Sequence, residues 1–219
     1  MSNHLQRELE KLKKRILHLG ALVEDRVHMA GRAIESKEIF DSERIIKTDY
    51  EIDEQEVEIE EECLKILALH QPVAGDLRFI VTTIKINSEL ERIADEAVNI
   101  ARRMKTAVRA KNKDQVVYDY SDMVEKVQTM LKKSLDSLVN LDIDEAFKVL
   151  TMDDDVDNQY DEKYEYFKSK IKQEPNYGEY LINMFLIARH LERIGDHTTN
   201  IAEEVIYLIE GEIIRHGKY

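Results

Sequence analysis

Two stretches of the chain that lie 101 residues apart are closely similar in sequence. Residues 90–101 read LERIADEAVNIA and residues 191–202 read LERIGDHTTNIA, so eight of twelve positions agree. A second set of matching positions, at an offset of 104 residues, joins Asp49 and Asp53 to Asp153 and Asp157. Self-similarity at a fixed period is the signature of a repeated supersecondary unit. We therefore predict that the chain is a tandem duplication whose two copies share one architecture.

The low content of turn-forming residues predicts that each copy is built from long helices. Gly and Pro number 7 and 2 in 219 residues, about 4% of the chain against roughly 12% in average usage. Sandwiches, barrels and βαβ units need more turns than this composition supplies. Apolar residues recur at spacings of three and four from Thr83 to Met104 and again from Met184 to Leu208. This rhythm is typical of the seams between packed helices.

Breaks in the apolar rhythm divide the chain into six predicted helices, three in each copy. Their limits are 3–36, 40–69, 76–108, 115–139, 143–172 and 178–214. Pro72 lies in the break before the third helix, where Asp76 is predicted to be the N-cap. Residues 111–114 are polar and lack apolar rhythm, which makes them the best candidate for a linker. We predict an all-α fold of two tandem three-helix bundles, in residues 1–110 and 111–219.

The charge balance and the hydropathy pattern argue against several classes of protein. The net charge is −13 and the pI is about 5.1, whereas non-specific nucleic-acid binding depends on Lys and Arg. The polar start predicts no signal peptide, and no apolar run approaches the ~20 residues of a membrane span. The single Cys63 cannot form an intramolecular disulfide and is predicted to be a core residue. We expect a folded cytoplasmic protein that meets membranes only through partners and does not bind nucleic acid directly.

Acidic side chains at helical spacing are the strongest candidate functional residues. Two trios, each spaced i, i+4, i+8 along one side of a helix, are Glu91, Asp95 and Asn99 and their copies Glu192, Asp196 and Asn200. Like charges at i, i+4 destabilise a helix, yet four such pairs occur in two duplicated sets, because Asp49/Asp53 and Asp153/Asp157 add two to those on the trios. In an antiparallel bundle the two pairs of each copy can lie opposite each other. Oxygens that converge in this way favour metal binding.

Two alternatives to metal binding also account for the acidic pairs. Nearby cations such as Arg92, Arg193 and Lys85 can neutralise them, and acidic stripes on exposed helices are often only solvated faces. If a metal does bind, carboxylate and carboxamide ligands without thiolates suit Mg²⁺, Mn²⁺, Ca²⁺ or iron, with Zn²⁺ as a further option. None of the seven histidines follows a Glu by three residues, which argues against a ferritin-like di-iron site.

The remaining reactive residues are interpreted as structural. His197 projects about 100° away from Asp196 around the helix and is interpreted as a packed side chain. His70 ends a helix, where it complements the helix dipole, and the ten Tyr residues are interpreted as packing. No Gly-rich phosphate loop, GxSxG or HExxH motif occurs. The chain is predicted not to be an enzyme. A metal-dependent enzyme and a purely structural helical tether or chaperone are the alternatives.

These motifs resemble those of the PhoU family of regulators of bacterial phosphate-specific transport. The similarity covers nearly the whole chain and rests on the two LERI segments, on residues 71–74 (QPVA) and on residues 76–78 (DLR). The resemblance implies two three-helix bundles related by a pseudo-twofold axis, with multinuclear metal clusters on their surface. It also implies a cytoplasmic, homodimeric adaptor that acts as a negative regulator between the phosphate ABC transporter ATPase and a sensor histidine kinase.

The resemblance assigns candidate metal ligands to both copies. They are Asp49, Asp53, Glu91 and Asp95 in the first copy and Asp153, Asp157, Glu192 and Asp196 in the second, with Asn99 and Asn200 as further candidates. The implied cofactors are divalent or trivalent ions, namely iron, zinc, manganese or magnesium. Ala94 departs from the Gly that is usual in the family and that Gly195 matches in the second copy. Since the added Cβ changes how closely helices approach, equal occupancy of the two clusters is not expected.

Overall fold

The computed structural model describes residues 3–36, 39–110 and 118–213. These residues form seven α-helices, and none of them lies in a β-strand. The helices are α1 (Asn3–Ser36), α2 (Ile39–Lys47), α3 (Tyr50–His70), α4 (Ala74–Ala110), α5 (Ser121–Asn140), α6 (Ile143–Gln173) and α7 (Gly178–Glu210). A single turn of 3-10 helix at Pro175–Tyr177 leads into α7. The all-α prediction is confirmed, and no helix in these ranges is long and apolar enough to cross a membrane.

The helices form two bundles that pack side by side. In the first bundle α2 and α3 pack on α1 and α4, and in the second bundle α6 packs on α5 and α7. The bundles meet where α4 packs along α7 and where α1 packs against α5. Buried aliphatic side chains from both bundles form one continuous core. The predicted pair of three-helix bundles is confirmed, with α3 and α6 on the flanks away from the central contact.

The predicted helix 40–69 is broken at Thr48 and Asp49, which separate α2 from α3. Arg26, a buried residue of α1, donates to the carbonyl oxygens of Ile45 (2.8 Å) and Thr48 (3.1 Å). These bonds satisfy carbonyl groups at the end of α2, which have no partner within their own helix. The local sequence does not reveal the break, because the side chain that stabilises it comes from another helix. The corresponding helix of the second bundle, α6, is unbroken.

Several further helix limits differ from the prediction by a few residues. α4 begins at Ala74, so Asp76 lies in the first turn and the prediction that it is the N-cap was wrong. Its charge still suits the positive end of the helix dipole. α7 ends at Glu210, because Gly211 adopts a left-handed conformation with φ of 80°. The predicted linker, the first residues of the predicted fourth helix and the last residue of the predicted sixth lie outside the described residues. The predicted domain limits therefore stay predictions.

Two residues that were interpreted as packing lie in the core. Cys63 is fully buried on α3, and burial raises the pKa of its thiol to about 12. Tyr120 is buried just before α5, and its hydroxyl donates to the carbonyl oxygen of Met184 on α7. The ring of Tyr118 lies 5.1 Å from that of Tyr120 and 5.1 Å from that of Phe167, measured between centroids. This aromatic cluster fixes the entry of the chain into the second bundle.

Candidate metal centres

The candidate ligands of the second bundle meet between α6 and α7. Asp153 and Asp157 lie one turn apart on α6, and Glu192 and Asp196 lie one turn apart on α7, so each pair shares a helix face. We call these four residues the second acidic cluster. Carboxylate oxygens of Asp153, Asp157 and Asp196, one from each, all lie within 4.8 Å of one another. Three anionic oxygens at this separation can converge on one cation.

Asp153 is the most enclosed member of the second acidic cluster. Its Oδ1 atom is buried and has no hydrogen-bond partner. The atom lies against Gly195 of α7, where an added Cβ would be 3.2 Å away. An anionic oxygen that is buried without a donor needs compensation by a positive charge. Asp153 therefore fits a cation ligand better than it fits a solvated helix face.

Burial, together with repulsion among the carboxylates, raises the pKa values in the second acidic cluster. Burial, and then the charges of Asp157, Asp196 and Glu192, raise the pKa of Asp153 to about 7. Burial, and then the charges of Asp196 and Asp157, raise the pKa of Glu192 to about 7. The pKa of Asp196 is also raised, by burial and then by Asp157. Without a cation, the second acidic cluster therefore retains protons near neutral pH.

The candidate ligands of the first bundle also face one another, but more loosely. Asp49, which precedes α3, and Asp53 on α3 lie near Glu91 and Asp95 on α4, and these four residues form the first acidic cluster. Burial, and then the charges of Asp53 and Asp95, raise the pKa of Asp49. Burial, and then the charge of Asp53, raise the pKa of Asp95. Within the described ranges, this cluster does not bring three carboxylate oxygens within 4.8 Å of one another.

Sequence reasoning missed one carboxylate beside the first acidic cluster. Glu56 lies one turn beyond Asp53 on α3, and its charge contributes, after burial and Asp95, to the raised pKa of Glu91. The spacing of Asp49, Asp53 and Glu56 at i, i+4, i+7 is the signal that could have revealed it. At the offset of 104 residues, Tyr160 occupies the matching position in the second bundle. Burial, and then the charge of Glu192, raise the pKa of Tyr160.

Cationic side chains of the protein offset the acidic clusters only in part. Arg26 and Arg102 act on Asp49, yet its pKa remains raised. The Nη1 atom of Arg193 lies 2.9 Å from Oε1 of Glu96. The charge of Arg193 acts to lower the pKa of Asp95 and that of Asp196, yet both remain raised. Lys85, one of the cations considered in the sequence, lies 3.1 Å from Glu204 on α7. Neutralisation by these groups is therefore incomplete.

The two asparagine candidates bond to groups outside the clusters. Asn99 accepts a hydrogen bond from Nη1 of Arg102 at 3.3 Å. Asn200 donates to Oε2 of Glu89 at 3.0 Å, an atom that also lies 2.7 Å from Nδ1 of His197. His197 is buried at the contact between α4 and α7, which confirms its interpretation as a packed side chain. The carboxylates are therefore better candidate ligands than either asparagine.

Comparisons with known proteins place this architecture in a family. The family model for the PhoU domain matches residues 16–104 and 120–205, one match in each bundle. A phosphate-specific transport system accessory protein PhoU homolog from Clostridium acetobutylicum is 37% identical over 206 residues, which cover 94% of each chain.

Two solved structures share the fold over almost their full length. The crystal structure of PhoU from Pseudomonas aeruginosa matches with a TM-score of 0.90 and 34% identity, covering 94% of this chain and 99% of that one. The crystal structure of the phosphate transport system regulatory protein PhoU from Streptococcus pneumoniae matches with a TM-score of 0.84 and 29% identity, covering 95% and 98%. Since the domain model matches both bundles and the relatives span the chain, this protein belongs to the PhoU family.

Proposed function

We propose that this protein is a regulatory accessory protein of phosphate transport that binds cations at its two acidic clusters. Family membership supports the regulatory role, because its relatives are named as accessory or regulatory proteins of phosphate transport. The observation that carries the metal proposal is the buried, unpartnered Oδ1 of Asp153, which lies beside Asp157 and Asp196. A bound cation would supply the positive charge that this oxygen lacks.

The proposed cation is structural and electrostatic in its role. Oxygen ligands suit magnesium, manganese and iron, and zinc also accepts carboxylates. A cation at the second acidic cluster would join α6 to α7, and one at the first would join α3 to α4. Each would also offset the repulsion among the partly buried carboxylates of its cluster. The role is regulation by binding, and no catalytic turnover is proposed.

The proposed place of action is the cytoplasm, between two partners. The protein acts as an adaptor between the phosphate ABC transporter ATPase and a sensor histidine kinase, and it represses the phosphate-starvation response. It does so as a homodimer. A net charge of −13 favours contact with basic partner surfaces, and complementary charge mainly increases the rate of association.

The metal proposal is tested by elemental analysis of untagged protein and of the double variant Asp153→Asn, Asp196→Asn. These nearly isosteric changes relieve repulsion, so we expect bound metal to fall while helicity is retained. Equal metal content in the two proteins would refute metal binding at the second acidic cluster. Glu162→Gln, at an exposed carboxylate further along α6, is the control and should leave the metal content unchanged.

The regulatory proposal is tested separately, in a bacterial strain that lacks its own PhoU protein. The wild-type gene should restore repression of a phosphate-starvation reporter at high phosphate. The double variant should restore it less well if the cation is needed for signalling. Failure of the wild-type protein to restore repression, or to retain the transporter ATPase in a pull-down assay, would count against the adaptor role.

A further inference from the structure

A third group of candidate metal ligands shares no residue with either acidic cluster. His4 and Glu8 lie one turn apart at the start of α1, and His70 is the last residue of α3. Nδ1 of His4 lies 3.2 Å from Oε1 of Glu8, and Nε2 of His70 lies 2.6 Å from Oε2 of Glu8. One ligand atom from each of the three residues lies within 4.8 Å of those of the other two.

Two of the three side chains in this group are largely buried, and the third is exposed to water. The side chains of Glu8 and His70 are only 10% and 19% exposed, whereas that of His4 is 72% exposed. The two imidazole rings are tilted by 36°, with centroids 5.4 Å apart, so they do not stack face to face. Three protein ligands with one side open to water match the plan of zinc sites that keep a free coordination position.

The separations suit a small transition-metal ion. Ligand atoms at about 2.0–2.1 Å from a tetrahedral zinc ion lie roughly 3.3 Å from one another. The 3.2 Å contact between His4 and Glu8 already has this length. The shorter contact between His70 and Glu8 has the length of a hydrogen bond, and it would lengthen slightly when a metal ion replaces the shared proton.

We propose that His4, Glu8 and His70 form a binding site for a divalent transition-metal ion of the zinc type. Imidazole ligands favour zinc, cobalt, nickel and copper over magnesium and calcium, which prefer oxygen ligands. This donor set therefore differs in chemistry from the two all-carboxylate clusters. The proposal goes beyond the proposed function and does not depend on it.

The position of the site gives the ion a definite mechanical effect. Glu8 and His70 are 62 residues apart and belong to different helices. The residue after His70, Gln71, has a left-handed conformation with φ of 44°, where α3 ends. A bound ion would therefore clamp the start of α1 to the turn that connects α3 and α4. The sequence predicted that His70 complements the helix dipole at the end of α3. It did not predict the contact of His70 with Glu8.

Cobalt substitution tests the proposal, because tetrahedral Co²⁺ has strong visible absorption bands and six-coordinate Co²⁺ in oxygen ligands has weak ones. Metal-free full-length protein is titrated with CoCl₂, and then with ZnCl₂ in competition. We expect one intense, Zn²⁺-displaceable Co²⁺ signal per chain. The signal should be lost in His4→Gln and in His70→Gln, and kept in the Asp153→Asn, Asp196→Asn variant.

His4→Gln keeps the test decisive, because a side chain that is 72% exposed can be changed without unfolding the bundle. Circular dichroism checks that both His variants remain helical. His18→Gln, at an exposed histidine of the same helix, is the matched control and should keep the signal. An intense signal that survives in His4→Gln and His70→Gln, or its absence from the wild-type protein, would overturn the proposal.

Discussion

Gly195 of α7 lies directly against the carboxylate of Asp153 on α6, so closely that a Cβ on Gly195 would be 3.2 Å from Oδ1. The matching residue of the first bundle is Ala94, which is buried. The duplicated motif thus differs at the residue that controls how closely an acidic side chain can approach its partner helix. This difference accompanies the tighter convergence of oxygens in the second acidic cluster.

Gly195→Ala should weaken metal binding without weakening the fold. The added methyl group would push the Asp153 carboxylate away from α7 by a few tenths of an ångström, which disturbs the arrangement of the cluster. Ala is better than Gly in a helix interior by about 1 kcal/mol, so the metal-free protein should melt at the same or a higher temperature. Isothermal titration with Mn²⁺ measures the first effect and thermal unfolding measures the second. Unchanged affinity together with unchanged stoichiometry would show that this contact does not control binding.

Asp153→Asn should stabilise the metal-free protein increasingly as pH rises from 4 to 8. The folded-state pKa of Asp153 is raised from the ordinary value of 3.8 to about 7, so its contribution to stability is full below 3.8 and is lost as pH rises through 7. The variant does not suffer this loss. We expect it to be about 2 kcal/mol more stable at pH 8. This is less than the full change in pKa would give, because water screens part of the interaction at this partly exposed group.

Urea unfolding of both proteins in chelator, across this pH range, gives the required free energies. Saturating Mn²⁺ should reverse the order, because only the wild-type protein gains stability from a cation at the second acidic cluster. A constant difference between the two proteins at all pH values would contradict the repulsion described for the second acidic cluster.

His190→Ala should destabilise the contact between the two bundles. Nδ1 of His190 on α7 lies 2.6 Å from Oε2 of the buried Glu96 on α4. Burial alone would raise the pKa of Glu96, but the hydrogen bond and charge of His190, with Arg193, lower it. Loss of the imidazole leaves Glu96 with fewer partners, at a cost of about 2 kcal/mol.

The pH dependence of the His190 effect has a definite sign. A lowered carboxylate pKa stabilises the fold above the ordinary value of 4.5 and loses this effect as pH falls through the folded-state value. The difference in unfolding free energy between wild type and His190→Ala should therefore shrink below pH 4.5. His28→Ala, at an exposed histidine on α1, should have little effect at any pH.

Arg26→Ala should destabilise the break between α2 and α3. The guanidinium group is buried and donates to two carbonyl oxygens at the end of α2. Bonds from a charged donor contribute about 1.5–3 kcal/mol each, so we expect a loss of about 3 kcal/mol in unfolding free energy. In the variant, hydrogen exchange should be faster than in the wild-type protein within α2 but not within α6. Arg44→Ala, at an exposed arginine of α2, is the control, and equal effects of the two changes would argue against a specific role for Arg26.

Helical periodicity explains why much of the architecture could be predicted from the sequence. Spacings of three and four identify the seams, and spacings of four place Asp153 and Asp157, or Glu192 and Asp196, on one helix face. These are local properties of a chain. The offsets between the two copies then indicate which faces meet, since equivalent residues occupy equivalent places in a duplicated fold.

The features that were missed depend on contacts between residues distant in sequence. The break at Thr48 is stabilised by Arg26, which lies on another helix. The group formed by His4, Glu8 and His70 joins the start of α1 to the end of α3. Glu56 was missed for a different reason, because it stands among many other Glu residues on α3 and its spacing alone does not distinguish it. Distant contacts and crowded charge patterns are both hard to recognise from local sequence alone.

The continuity of α6 should make the second acidic cluster more rigid than the first, and therefore more selective for ion size. A continuous helix holds Asp153 and Asp157 in fixed register, whereas Asp49 stands at a joint between two helices. A rigid set of ligands discriminates between ions by radius, as magnesium sites do, and an adjustable set accepts larger ions and irregular coordination, as calcium sites do. If both clusters bind cations as proposed, the duplicated motif should give a strict site on one flank of the protein and a tolerant one on the other.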